Sequence, residues 1–300
     1  MSKNTQKDLN PCPACGNSSW DSTGRVKDHS ISGEWFQLKS CPVCHLKQTS
    51  PQPAQGEIGR YYASEDYVSH SDTRSGVINK LYHAARVLML KKKHQWVLKA
   101  SGQQTGYLLD VGAGTGHFPY YMKLSGWHAE GLEPDETARK VAAEKLNMPL
   151  DPIEKLDTLP ENQYDVITLW HVLEHVHNPG SYFDRFRKIL KPGGVLIIAV
   201  PNHTSRDAKR YKADWAAYDV PRHLWHFSPE SMQKIMEKHG FTLTKKLPMH
   251  LDAFYVSMLS EKYRGKGIVG LVSAFFSGVK TYWSARKNVD TASSVIYIAK

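Results

Sequence analysis

The chain has 300 residues, a formal net charge of +10 and 41% hydrophobic residues, enough to bury one full-sized domain and a small additional unit. The first ten residues are polar and no apolar run is long enough to span a bilayer, which predicts a cytoplasmic protein and excludes a secreted or membrane-spanning one. The basic excess lies in residues 1–105 and 201–300, whereas 106–200 is net acidic; this indicates either a solvated surface or an anionic partner such as RNA, an acidic small molecule or a membrane surface.

Two C-x-x-C motifs near the N-terminus contain all four cysteines of the chain. Four thiolates at this spacing are typical of a structural zinc site, which leaves no open coordination position for chemistry. Two disulfides are the alternative, and an intracellular location disfavours them. Residues 35–39 alternate apolar and polar and predict a strand, so 1–50 is predicted to be a zinc ribbon. Its ligands to Zn²⁺ are then Cys12, Cys15, Cys41 and Cys44.

Residues 51–105 are predicted to be a linker followed by an N-terminal helical region. The Pro- and Gly-containing stretch 51–59 is the linker, and apolar residues at helical spacing predict a helix over 78–100. The three consecutive lysines at 91–93 are expected on a solvated face of this helix.

From residue 106 onward, short apolar segments alternate with helical patterns, which is typical of a doubly wound α/β sheet that binds its ligand at the carboxyl ends of the strands. Strands are predicted at 107–111, 127–132, 148–151, 165–170, 194–200, 241–244 and 294–298. Helices are predicted at 116–124, 135–146, 181–190 and 229–239. The sixth and seventh strands are separated by a helical insertion at about 250–290.

A glycine-rich turn follows the first of these strands. Asp110 ends the apolar segment, and glycines at alternate positions allow a sharp turn and a close approach of the backbone to a ligand. Glu133 closes the next apolar segment, where a carboxylate accepts hydrogen bonds from ribose hydroxyls. His117 stands where the third glycine of a dinucleotide-binding fingerprint belongs, so the turn is predicted to bind a different nucleoside.

The pattern D-x-G-x-G-x-G with its following acid resembles motif I of the class I S-adenosylmethionine (SAM)-dependent methyltransferases. The resemblance continues in order through 164–170, 173–176 and 190–197. It implies a seven-stranded Rossmann-like sheet over 106–300, with SAM as cofactor and S-adenosylhomocysteine as product. The SAM-binding residues that it implies are Asp110, Gly112, Gly114, Gly116, Glu133, Ile153, Glu154, Trp170 and His171.

SAM supplies an electrophilic methyl group, so the protein must align the acceptor and, for a hydroxyl or carbon acid, remove a proton. Candidate bases are His223, His226 and His175. The first two lie in 219–227, after the fifth strand, where the family carries a substrate-contacting loop. Arg222 in the same loop is expected to hold an acidic group of the acceptor. Closure of the loop over SAM is the structural alternative.

His171, Glu174 and His175 follow the fourth strand at a spacing that predicts one shared helix face. Some ubiquinone O-methyltransferases and small-RNA end methyltransferases have Glu-x-x-Glu-His at this place and bind magnesium. Here His171 replaces the first glutamate, which disfavours a hard cation and leaves a zinc-like site or simple helix packing as alternatives.

The insertion contains an amphipathic pattern over 268–283 with basic residues at both ends. Such a stripe packs into a core, forms a dimer face or a substrate lid, or lies on a membrane surface. The chain is accordingly expected to be a monomer or a homodimer, and a membrane-surface helix would make the cytoplasmic protein peripheral to the membrane.

Three functions remain open. The first is methylation of oxygen or carbon in a small-molecule acceptor of sugar, lipid-linked or natural-product type, since similar zinc-ribbon methyltransferases include sugar C-methyltransferases. The second is methylation of rRNA or tRNA, with the ribbon docking RNA, although the ribbon has few clustered basic residues. The third is a non-catalytic SAM-binding assembly protein. Because zinc would engage every cysteine, thiolate-dependent methylation at pyrimidine C5 is disfavoured.

Overall fold

The structure is a computed structural model that describes residues 11–62 and 77–300. Within these ranges the α-helices are Val77–Ser101 (α1), His117–Leu124 (α2), Glu136–Leu146 (α3), Pro179–Ile189 (α4), Arg206–Tyr211 (α5), Pro229–Lys238 (α6), Asp252–Tyr263 (α7) and Gly267–Lys287 (α8). The β-strands are Asp21–Lys27 (β1), Trp35–Ser40 (β2), Lys47–Ser50 (β3), Tyr107–Val111 (β4), His128–Leu132 (β5), Tyr164–Trp170 (β6), Leu190–Pro201 (β7), Trp225–His226 (β8), Leu243–Pro248 (β9) and Ser294–Ala299 (β10).

A mixed six-stranded sheet in the order β5-β4-β6-β7-β10-β9 forms the centre of the molecule. The first four strands are parallel, and β10 pairs antiparallel with both β7 and β9. Alternate residues of β7 face opposite sides: Leu196 and Ile198 enter one apolar cluster, and Ile197 enters another. Both faces are therefore covered, which confirms the Rossmann-like α/β architecture that the sequence predicts.

The seventh strand, predicted at 148–151, is reduced to a single parallel bridge between Leu132 and Asp151. The Asp151 amide donates to the Gly131 carbonyl, and the Glu133 amide donates to the Asp151 carbonyl. Prolines at 149 and 152 lack the N–H needed to extend this ladder in either direction. The six paired strands and the bridge thus replace the predicted seven-stranded sheet.

Residues 11–50, here called the N-terminal unit, contribute most of a second sheet. The strand order of this sheet is β1-β2-β3-β8. Its first three strands come from the predicted ribbon, of which residues 11–50 are described. Its fourth strand, β8, comes from the loop after β7, and Lys47 pairs with His226 and Gln48 with Trp225. The N-terminal unit therefore completes its sheet with a strand that is about 175 residues further along the chain.

The insertion between β9 and β10 is a hairpin of two helices, α7 and α8. The sequence predicts only the second of them. The hairpin reaches the N-terminal unit, because the Tyr263 ring stacks on His29 with a centroid distance of 4.3 Å. Among the described residues, no helix has both the length and the apolar content needed to cross a membrane.

Candidate functional site

The carboxylate of Asp110 lies at the carboxyl end of β4, in the middle of the parallel strands. It is 2% exposed and accepts a 2.6 Å hydrogen bond from the Thr168 hydroxyl of β6. Burial raises the pKa of this carboxyl to about 7, against the opposing effect of the Lys93 ammonium. The protonation state of the buried Asp110 carboxyl therefore depends on the charges of its neighbours.

The three glycines after Asp110 all have positive φ angles, 72° at Gly112, 55° at Gly114 and 75° at Gly116. A Cβ at Gly112 would lie 2.4 Å from a methyl carbon of Val172, and one at Gly116 would lie 2.9 Å from Ala142. A Cβ at Gly114 would meet no protein atom within 4 Å. The outer two glycines are therefore required by packing, whereas Gly114 faces open space, as a ligand-approach position does.

Glu133 turns its carboxylate toward this glycine turn. One oxygen accepts a 2.7 Å hydrogen bond from the Gly114 amide and the other a 3.0 Å bond from the Asp135 amide. Burial raises the pKa of Glu133. Each oxygen keeps a lone pair, so the carboxylate can accept further hydrogen bonds from a ribose.

Ile153 and Glu154 begin a short 3₁₀-helix just after the bridge that continues the sheet beside β5. Ile153 is half-buried and Glu154 is exposed. The chain thus brings both residues to the edge of the sheet that carries Glu133, another of the residues that the resemblance implies for SAM binding.

Trp170 ends β6 with its ring edge-on to Phe118, at a centroid distance of 5.6 Å. The Lys93 ammonium lies 4.6 Å above the centre of the same indole. Burial lowers the pKa of Lys93 to about 8, although Asp110 and Asp252 favour its charged form. The prediction of a solvated face at 91–93 is therefore wrong for Lys93, which faces the carboxyl ends of β4 and β6.

His171 lies between two carboxylates. Its Nδ1 is 3.4 Å from Glu174 Oε1, and its Nε2 is 3.0 Å from Asp252 Oδ2 at the start of α7. Burial lowers the pKa of His171, but the Asp252 and Glu174 carboxylates outweigh this effect and raise it to about 10. His171 is consequently a cation at neutral pH and cannot act as a base.

The predicted helix face through His171, Glu174 and His175 is wrong. His171 has a left-handed backbone with φ of 59°, and only 173–175 form a single 3₁₀ turn. Without a continuous helix, His175 is not aligned with His171 on one helix face. It joins His223 instead, from the loop after β7.

Glu174, His175 and His223 form a cluster in which one candidate ligand atom of each lies within 4.8 Å of the others. Glu174 is 1% exposed, and neither of its oxygens has a hydrogen bond within the described residues. Burial raises its pKa, but the His171 contact outweighs burial and holds the pKa below the usual range. The cluster is therefore built around a buried, ionised carboxylate.

Backbone carbonyls orient both histidines of the cluster. His175 Nδ1 lies 3.0 Å from the Arg222 carbonyl oxygen, and His223 Nδ1 lies 2.9 Å from that of Ala217. A carbonyl only accepts, so each Nδ1 carries a proton, and Nε2 is the position at which each ring gains or loses a second one. The Tyr62 hydroxyl also lies 3.0 Å from His175 Nδ1. Burial is the main cause that lowers the pKa of His175 to about 4.

His226 lies apart from this cluster. Its ring is 4% exposed, and its Nε2 is 3.0 Å from the Thr49 hydroxyl of β3. Burial holds its pKa well below the usual range. This environment is that of a neutral histidine that joins β8 to the N-terminal unit.

Arg222 is not available to an acceptor. It is 1% exposed, its guanidinium donates to both oxygens of Asp219, and it contacts Asp28 at 3.3 Å and the Tyr61 carbonyl at 2.8 Å. The expectation that it binds an acidic acceptor group is therefore not met. Arg222 instead ties the loop 219–227 to the N-terminal unit.

The four cysteines converge in the N-terminal unit, and all four Sγ atoms lie within 4.8 Å of one another. The Cys12–Cys44 and Cys15–Cys41 sulfur distances are 3.4 and 3.5 Å, and all four thiols are free. Sulfurs at this spacing can surround one tetrahedral ion with zinc–sulfur bonds of about 2.3 Å. The residue after each motif, Gly16 and His45, has a positive φ, so both turns have the same form.

Comparisons with known proteins agree with this geometry. Residues 82–246 match the family model described as a methyltransferase domain. A ubiquinone biosynthesis O-methyltransferase of Rhodopseudomonas palustris strain HaA2 is 26% identical over 154 residues, which cover 46% of this chain and 59% of that protein. One from Marinobacter nauticus is 35% identical over 107 residues, covering 33% of this chain and 45% of that protein. The chain therefore spans about half the length of the curated relatives it matches.

Among solved structures, magnesium protoporphyrin IX methyltransferase from Synechocystis with bound S-adenosylhomocysteine is similar at a TM-score of 0.52. The two chains are 15% identical, and the match covers 81% of this chain and 97% of the other. At this identity the likeness shows a shared fold.

Proposed function

Because the chain belongs to the methyltransferase family and has the class I SAM-dependent fold, we propose that it transfers a methyl group to an oxygen or acidic carbon of a small-molecule acceptor. The relatives named as ubiquinone biosynthesis O-methyltransferases favour oxygen as the acceptor atom. The observation that carries the proposal is the cluster of Glu174, His175 and His223, which the loop after β7 brings to the carboxyl end of β6.

The residues at the glycine turn suit SAM. Gly114 faces open space, Glu133 retains lone pairs for ribose hydroxyls, and Asp110 is buried next to the turn. SAM when bound supplies an electrophilic methyl group on a sulfonium. A buried carboxylate with a raised pKa becomes ionised more readily when a positive charge is placed beside it, so Asp110 would favour this cation.

His223 is the best candidate for the general base. His171 is held protonated, whereas burial makes His175 and His226 weak bases. The Nε2 of His223 is 3.9 Å from Asp219 Oδ2, and the His223 ring lies in the same cluster as the ionised Glu174. As the methyl group is transferred, the hydroxyl proton of the acceptor would pass to this nitrogen, and the two carboxylates would stabilise the resulting imidazolium.

Magnesium, which the Glu-x-x-Glu-His relatives imply, does not fit these residues. His171 stands in place of the first glutamate and is paired with Asp252. The remaining donors are two imidazole nitrogens and one carboxylate, whereas magnesium prefers oxygen ligands. These donors therefore do not form a magnesium site.

Zinc, in contrast, fits the four cysteines. We propose that Cys12, Cys15, Cys41 and Cys44 hold a structural Zn²⁺, since four sulfurs leave no position for a substrate. The ion would stabilise the N-terminal unit, and through β8 it would support the loop that carries His223.

Incubation of the purified protein with methyl-labelled SAM and a fractionated cell extract tests the proposal. We expect label in the small-molecule and lipid fraction, and we expect it to be lost in a His223→Gln variant that still binds SAM. Nuclease-sensitive label in the RNA fraction would replace the proposal with RNA methylation. SAM binding without label in any fraction would favour a non-catalytic assembly protein.

A further inference from the structure

Helix α8 presents its large apolar side chains outward. Small residues face the rest of the molecule, with Gly270, Ala274 and Gly278 all buried at four-residue intervals. The outward side chains include Ile268 at 82% and Phe275 at 59% exposure. We call this surface the apolar face; its members are Ile268, Val269, Leu271, Val272, Phe275, Phe276 and Trp283.

This orientation excludes a core role for the apolar face. A helix that packs into a domain buries its large side chains and exposes its polar ones. Here the close approach of α7 uses the small side, since a Cβ at Gly278 would lie 2.5 Å from the Phe254 ring. Leu251, Tyr255 and Met258, at the start of and within α7, are exposed as well. Both helices of the hairpin thus expose large apolar side chains of the kind that mark an interaction surface.

Basic side chains border the apolar face. The segment 267–279 contains no charged residue, and Lys266 and Lys280 stand at its two ends. The exposed basic residues on and around the hairpin are Lys262, Lys266, Lys280, Arg286 and Lys287. A partner for this surface must therefore accept apolar side chains at its centre and carry negative charge around them.

We propose that the α7–α8 hairpin docks on a membrane that contains anionic lipids, with the apolar face inserted into one leaflet. An anionic bilayer has the two required properties, an apolar interior and a negative surface. A second copy of the chain offers an apolar surface but no negative charge, because pairing this face with itself brings two sets of basic side chains together. The charge distribution therefore favours a lipid surface over a dimer.

The apolar face is too short to span a bilayer, which suits a helix that lies on one leaflet. At 1.5 Å per residue, 267–279 is about 18 Å long, against about 30 Å for a bilayer hydrocarbon core. The docked hairpin would lie close to the candidate site, because α7 starts at Asp252, which contacts His171. If methyl transfer proceeds as proposed, this placement favours an acceptor dissolved in the same membrane, a point that rests on the proposed function.

The test is partition of the full-length protein onto vesicles of phosphatidylcholine alone and of phosphatidylcholine with phosphatidylglycerol, without SAM or acceptor. We expect binding to the anionic vesicles. The double variant Phe275→Ser/Phe276→Ser should lower the partition coefficient about tenfold or more through lost apolar burial. Lys266→Gln and Lys280→Gln should each lower it about fivefold. Leu124→Ser, at a 70% exposed residue of α2, and Lys188→Gln on α4 are the matched controls.

Far-ultraviolet circular dichroism establishes that each variant is folded, and the lysine changes keep the test valid if the phenylalanine variant unfolds. The proposal fails if the wild type binds neither kind of vesicle, or if hairpin and control variants bind alike. It also fails if Phe275→Ser/Phe276→Ser converts a dimer to a monomer without changing vesicle binding, since a second copy would then cover the face. Because no methyl transfer is measured, failure here leaves the proposed function standing, and the reverse also holds.

Discussion

At the end of β6, one protonated imidazole separates two carboxylates. His171 contacts the buried Glu174 on one side and Asp252 on the other. Its raised pKa, about 10, means that the positive charge persists across the neutral range. It supplies a cation beside Glu174, and in the proposed function proton transfer is assigned to His223.

Replacement of His223 tests this division of roles. In His223→Gln we expect kcat to fall by about 10²- to 10⁴-fold, the usual contribution of a general base. SAM affinity should stay within about threefold of wild type, since His223 is not among the residues placed at the glycine turn. Steady-state kinetics and calorimetric SAM binding measure the two effects. His128→Gln, at an exposed histidine of β5, is the control, and an equal loss of kcat there would refute the assignment.

Two neighbouring glycines provide a second test at this scale. Gly112→Ala and Gly114→Ala both place a side chain at a positive φ, which costs about 1 kcal/mol. Only the Gly112 methyl also meets Val172, so we expect Gly112→Ala to lose about 2 kcal/mol more stability than Gly114→Ala. Gly114→Ala should fold and yet lose SAM affinity. Chemical denaturation and calorimetry measure both; unchanged SAM binding in Gly114→Ala would show that SAM lies elsewhere.

At the scale of elements, the pairing of β3 with β8 joins the four-cysteine unit to the candidate base. The Thr49 amide donates to the Leu224 carbonyl. The Thr49 hydroxyl donates to the His223 carbonyl at 2.6 Å. The backbone of His223 is therefore held by a strand that lies three residues beyond Cys44. A change in the cysteine cluster should reach the site through this strand.

Removal of the proposed zinc is expected to slow methyl transfer and to leave SAM binding nearly unchanged. With Cys44→Ser or a strong chelator, we expect kcat to fall at least about tenfold because the loop 219–227 loses its support. SAM binding at the glycine turn should change by less than about threefold. Metal analysis, kinetics and calorimetry measure these effects. Full activity of a zinc-free protein would mean that the N-terminal unit does not position His223.

Local patterns in the sequence were sufficient for most elements. The glycine turn, the parallel strands and the helix start at Ser228, with its Pro229, all follow from neighbouring residues. The strand predicted at 148–151 is reduced to a bridge at Asp151, because the prolines at 149 and 152 stop its ladder. Helix α7 lies within the predicted helical insertion, but no amphipathic pattern marks it, because its buried face includes small and polar residues such as Ser257 and Ser260. Strand β8 is two residues long and exists only through its distant partner β3.

The candidate site also combines residues that local sequence patterns predict with residues that they do not. Asp110, the glycines and Glu133 lie near each other in sequence or follow a recurrent spacing, so their assembly was predictable. The Asp252 partner of His171 is far along the chain, and no local pattern indicates it. Lys93 could have been identified, because it precedes the inward-facing Trp96 and Val97 by one helical turn.

Across the whole molecule, several histidines are buried in neutral form. Burial lowers the pKa of His175 to about 4 and that of His203 to about 3, whereas an unfolded chain binds these protons near 6.5. The unfolded state therefore takes up more protons below pH 6.5, and stability present above that pH is lost as the pH falls toward these values.

We expect each of these histidines to contribute a loss of about 1.4 kcal/mol per pH unit below 6.5. In His203→Gln, the free energy of unfolding should fall less steeply with pH, by about 1.4 kcal/mol per pH unit. The glutamine amide can still donate to the His45 carbonyl, which His203 contacts at 2.9 Å. Denaturant unfolding between pH 7 and pH 5 measures the slope, with the exposed His128→Gln as control. Equal slopes in the two variants would show that His203 is not neutral in the folded protein.

The pairing of β3 with the distant strand β8 also sets an order of events during translation. The N-terminal unit leaves the ribosome first, but its fourth strand is not made until residue 226. At about 5–20 residues per second, synthesis from residue 50 to residue 226 takes on the order of 10–35 s. During that interval β3 has a bare edge, and a metal ion on the cysteines is what can hold the nascent unit together until β8 arrives to close it.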